Sequence, residues 1–115
     1  MEKYIKNFPA EKAVVLKDQI TCRQGEVVSK TLAQNDAVSV TLFAFDAGEE
    51  ISTHESTGDA FVTVLEGTGI FTVDGVEHTV SAGQSLLMPA KKPHSVRGDE
   101  AFKWMLVVVF RKGNN

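Results

Sequence analysis

A chain of 115 residues, 43% hydrophobic and 23% charged, has the composition of an ordinary globular protein, and at this length folding removes about two-thirds of the unfolded surface from water, enough for one core without staples. A formal net charge of -3 excludes the basic field that nucleic acid requires, and the single cysteine, Cys22, excludes an internal disulfide and points to a reducing compartment. The longest strongly apolar run, Met105 to Phe110, falls far short of the about 20 residues of a spanning helix, and Met1 to Ala10 lacks the apolar stretch of a secretory signal, so the expectation is a soluble, cytoplasmic protein with no membrane partner.

In chain order, residues 1–19 form an arm in which only Pro9 to Leu16 offers a start for a helix, weakened by Val14 and Val15. Short runs rich in Val, Thr, Phe and Ile follow and predict strands at Ile20 to Arg23, Glu26 to Leu32, Val38 to Phe45 and Phe61 to Leu65. Further strands are predicted at Ile70 to Val73, Val76 to Val80, Ser85 to Met88, His94 to Arg97 and Phe102 to Phe110. Asp74-Gly75 between two such runs is a two-residue hairpin loop of the primed type. Regularly spaced short strands with single Gly and Pro residues between them indicate a sandwich or barrel, with its body at about residues 20–111. An immunoglobulin-like arrangement lacks its paired cysteines.

The last run is apolar on both sides, with Trp104, Leu106, Val108 and Phe110 on one face and Met105, Val107 and Val109 on the other. One face lines the core; the other needs a cover, either a second subunit in a homodimer or an N-terminal stretch such as Tyr4 to Val15. Phe43, Phe45, Phe61 and Phe71 are expected to fill the core.

From Gly48 to Gly98 the chain resembles the cupin family in its two characteristic motifs. The first runs from Gly48 through Glu49-Glu50-Ile51-Ser52-Thr53 to His54 and closes at Gly67; Ser56 stands at its second His position and Ala60 at its Glu position. The second runs from Gly83 through Gln84-Ser85-Leu86-Leu87-Met88 to Pro89 and on to His94, with Lys91 at a Gly position and Gly98 at an Asn position. The resemblance implies an all-β fold, a double-stranded β-helix or jelly-roll barrel of two antiparallel sheets, as one domain over residues 1–115. It implies further that His54, Ser56, Ala60 and His94 face a ligand pocket for a small organic molecule. Metal-binding cupins use all four positions, so here only His54 and His94 remain as ligands for a divalent transition metal such as Fe, Mn, Ni or Zn. A neutral serine hydroxyl is a poor ligand and alanine offers none.

Glu55 and Asp59 are the nearby carboxylates able to complete such a set. Alternation turns Glu55 away from the side that His54 faces unless the strand bulges, and Asp59 in the turn Ser56-Thr57-Gly58-Asp59 ordinarily accepts bonds from turn amides. His78 is expected to be exposed, Lys91-Lys92 to form a solvated loop, and Cys22 to be a small buried or half-buried residue. Three functions compete: a small-molecule-binding barrel, a metal-dependent enzyme of dioxygenase or isomerase type or its metal-free variant with His94 as general base, and an architectural dimerisation domain.

Overall fold

β-branched and aromatic residues separated by single turn residues build nine strands in the computed structural model, which describes residues 4–111. The strands are β1 Val27–Gln34, β2 Val38–Phe45, β3 Glu50–His54, β4 Asp59–Glu66, β5 Thr68–Val73, β6 Val76–Ser81, β7 Ser85–Met88, β8 His94–Arg97 and β9 Phe102–Val109. They form a five-stranded sheet in the order β1-β2-β9-β4-β7 and a four-stranded sheet in the order β3-β8-β5-β6, every pairing antiparallel. This is the double-sheet jelly-roll barrel expected from the sequence.

The two inner faces meet in a core dominated by Phe45, Phe71, Phe102 and Trp104, each at most 2% exposed. Their rings pack edge to face and in stacks, with Phe71 and Trp104 centroids 5.2 Å apart at 84°, an arrangement that suits the quadrupoles of neighbouring rings. Phe43, half-buried, stacks on Trp104 at 4.6 Å. Of the two apolar faces of β9, the one bearing Trp104, Leu106 and Val108 lines the barrel.

Four expectations are corrected. Ile20 to Arg23 is not a strand: Ile20 is buried in a second, outer cluster with Leu32, Leu42 and Ala44, onto which Phe8, Leu16, Val40 and Met105 also pack. The helical start at Pro9 to Leu16 shrinks to a 3₁₀ turn at Leu16–Gln19, because Val15 is extended and supplies no side-chain cap. β3 was absent from the strands read from composition; Glu-Ile-Ser-Thr-His shows too little apolar alternation, with Ile51 its one partly buried residue. Phe61 is 45% exposed rather than in the core, since Ala60 and Val62 on either side of it point inward.

The outer cluster covers only part of the outer face of the five-stranded sheet. Of the stretch Tyr4 to Val15, Phe8 packs against it while Tyr4 is 82% exposed. Among the described residues no helix is long and apolar enough to cross a membrane.

Candidate functional site

β3 and β8 are neighbours in the four-stranded sheet, and their register pairs Ile51 with Val96 and His54 with His94. Three residue steps on β3 thus face two on β8, which makes β3 bulged. Without the extra residue, Ile51 and His54, an odd number of steps apart, would lie on opposite faces; the bulge puts both on one. The two imidazoles come together with ring centroids 4.3 Å apart and planes inclined at 66°.

The backbone fixes both rings in the same way. The His54 Nδ1 lies 2.9 Å from the Ser52 carbonyl oxygen, and the His94 Nδ1 lies 3.1 Å from the Lys92 carbonyl oxygen. A carbonyl can only accept, so each Nδ1 carries the hydrogen and donates it, and in the neutral ring Nε2 is left as an acceptor. His94 is 6% exposed whereas His54 is open to solvent. Burial pushes the His94 imidazole below its ordinary 6.5; the bond to the Lys92 carbonyl opposes this, and His54 adds to it.

The remaining motif positions do not supply further donors. Ser56 is half-buried, and its Oγ accepts the Gly58 N–H at 3.2 Å. Ala60 is buried on β4 in register with Met88, also buried, so apolar surface occupies the position of the family's carboxylate. Asp59 opens β4 and its Oδ1 accepts the Ala90 N–H at 2.8 Å, tying β4 to the loop after β7 instead of to its own turn. Glu55 is exposed beyond the end of β3. Among the described residues no three His, Cys, Asp or Glu side chains gather as a metal site. Two imidazoles alone do not fit the transition metal of the metal-binding cupins, which takes three or four protein donors.

Other expectations fall as follows. Lys91 and Lys92 are exposed, with the Lys92 ammonium 3.8 Å from Asp74. Cys22 is half-buried, and burial raises its thiol above the ordinary value. His78 departs from its expected exposure: on β6 it pairs with Phe71, which in turn pairs with Val96, so it shares the inner face and is half-buried. The alternation of His78 with the buried Val80 was the available signal. The Trp104 Nε1 is buried with no hydrogen-bond partner among the described residues.

Two antiparallel sheets closed face to face, with the motif histidines paired across β3 and β8, are those of a cupin, and residues 41–109 match the family model of the Cupin domain. The chain belongs to the cupin family. Among solved structures it is similar to a conserved protein of unknown function from Streptococcus pyogenes, 38% identical over 97% of this chain and 98% of that one, with a TM-score of 0.94. It is also similar to a cupin superfamily protein from Desulfitobacterium hafniense, 33% identical over 93% of this chain and 98% of that one, with a TM-score of 0.89. A dimethylsulfoniopropionate lyase from Ruegeria pomeroyi is 36% identical over 87 residues, 70% of this chain; the match spans 57% of the lyase's length.

Proposed function

We propose that the protein is a binding barrel for a small organic molecule, held by hydrogen bonds to the Nε2 atoms of His54 and His94 and without a resident transition metal. The observation that carries this reading is the imidazole pair itself: two rings at 4.3 Å, each locked by a backbone carbonyl, with apolar Ala60 and Met88 where a carboxylate ligand would be needed. Fixed acceptors beside apolar walls are the usual composition of an organic-ligand site. The test is a thermal-shift screen of small organic molecules on chelator-treated protein. Hits that survive chelation and disappear in His54→Ala and His94→Ala are expected. Binding that requires added metal would defeat the reading.

The identity to the lyase favours a second reading, an enzyme; since no three His, Cys, Asp or Glu gather among the described residues, its general base would be His94 Nε2 acting without a metal. Turnover lost in His94→Ala and indifferent to chelator is its expected signature. We also infer that two copies associate through the uncovered outer part of the five-stranded sheet, where Phe61, Leu87 and Val109 are 45%, 53% and 55% exposed.

A further inference from the structure

The register of the four-stranded sheet carries the His54–His94 pair into a second feature. His54 on β3 pairs with His94 on β8, His94 with Val73 on β5, and Val73 with Val76 on β6. Residues in register share a face, so these four side chains form one row across the whole sheet, about 14 Å from end to end at the usual strand spacing. Its polarity is divided: two imidazoles at one end, two valines at the other.

The valine end opens into a groove of about 370 Å³ lined by Val73, Val76, Leu86, Leu87 and Pro89, with His78 and the Asp74–Lys92 ion pair also on its wall. The groove exists because β6 and β7 are edge strands of different sheets and do not pair with each other, which leaves the barrel open along that side. A second cleft of about 410 Å³ continues it along the same opening, sharing His78 and Leu86.

We propose that the ligand is a linear amphiphile lying across the strands, its hydrogen-bond-donating head, of the primary ammonium type, at His54 and His94 and its hydrocarbon tail in the groove between β6 and β7. The proposal rests on the reading of the histidine pair as an organic-ligand site. The head must donate because both Nδ1 hydrogens are already given to backbone carbonyls, which leaves two neighbouring acceptors. A primary ammonium brings three N–H groups, enough for both rings and for water at the exposed His54 end. The tail must be apolar because the continuation of the row is valine, and Leu86 and Pro89 face it across the groove.

Titration calorimetry of the full chain with n-butylamine, n-hexylamine and n-octylamine, and with alkanoates of matching length, tests the proposal. Affinity for the amines should rise about twofold per methylene, less than full burial would give because the groove is open on one side. The alkanoates, whose heads only accept, should bind at least about tenfold more weakly. Leu86→Trp fills the groove and should abolish the length dependence, so that the three amines bind alike. Val76→Trp, at a position 58% exposed and so tolerant of a larger side chain, repeats the test should Leu86→Trp fail to fold. His54→Ala and His94→Ala should erase the preference for amines over alkanoates. Amine binding that depends on the histidines but not on chain length would overturn the amphiphile assignment and leave the histidine site standing. Length-dependent binding unchanged by either tryptophan variant, or failure of every amine to bind, would overturn the proposal, while the library screen still decides the histidine site.

Discussion

Burial sets the chemistry of His94. Its pKa in the fold lies below the 6.5 of the free side chain, so at neutral pH both the folded and the unfolded protein hold the ring neutral. As pH falls through 6.5 the unfolded chain takes up the proton first, and stability is lost until the folded ring is protonated as well. Unfolding midpoints of the native protein should therefore decrease as the pH falls through 6.5 towards the lower folded pKa of His94, and His94→Gln should flatten that slope. The Asp46 carboxyl, lowered by the Gly25 and Ala47 amides, loses its contribution only at more acid pH, as the pH falls through its folded pKa below 3.8. An unaltered slope in His94→Gln would mean that another group carries it. Lys91 offers a second test at this scale. It stands where the motif has glycine and adopts φ 66, a left-handed conformation that costs a side-chain-bearing residue about 1–2 kcal/mol. Lys91→Gly relieves that strain at an entropic cost of about 0.5–1 kcal/mol, so a net stabilisation of about 0.5–1 kcal/mol is expected in denaturant titrations. Gly98 shows the reverse. A Cβ there would sit 2.7 Å from the Glu100 carbonyl oxygen and 2.5 Å from the buried Phe102 ring, which explains why the motif's asparagine has no room. Gly98→Ala should destabilise by about 1–3 kcal/mol.

The β5–β6 hairpin was legible as an element because its turn has only one chemical solution. Asp74 and Gly75 have φ 50 and 82, both positive as a type I′ loop requires. No atom lies within 4 Å of a Cβ built on Gly75, so Gly75→Ala isolates the backbone term and should cost at least about 1 kcal/mol with no change in packing. The strand that carries the candidate site was less legible. His54 was recognised from motif position alone, since β3 lacks an apolar pattern of its own and its bulge leaves no mark in composition. The pairing that brings His54 to His94 joins residues forty apart in the chain, a distance over which periodicity carries no information. His78 was missed for a related reason: one histidine between Glu77 and Thr79 reads as solvent-facing until the register with Phe71 shows which face β6 turns inward.

At the scale of the whole molecule, a sandwich or barrel followed from the alternation of strands and turns and its jelly-roll form from the resemblance of the two cupin motifs, whereas the treatment of its outer surface followed from neither. A last strand apolar on both faces left two covers open, and the structure uses one of them for part of the sheet: Phe8, Leu16 and Ile20 lie over Leu32, Leu42 and Ala44 on the β1–β2 side. On the β4–β7 side, Leu87, Phe61 and Val107 stand in register on the outer face, continuous with Val40 on β2 and beside Val109. Exposed apolar side chains in one contiguous row are the feature that marks an interface in an otherwise charged surface. A second copy related by a two-fold axis would place the same row against itself, as symmetric dimers do. Light scattering should then give the native protein about twice its 12.5 kDa chain mass, and Phe61→Asp should return it to the monomer mass. Because Phe61 is 45% exposed and its neighbours Ala60 and Val62 hold the core, the aspartate should leave the monomer folded, with an unchanged far-UV spectrum. A native protein already monomeric at tens of micromolar, or a Phe61→Asp variant still dimeric, would assign the row to no self-association and leave the sheet with the cover that Phe8, Leu16 and Ile20 give it among the described residues.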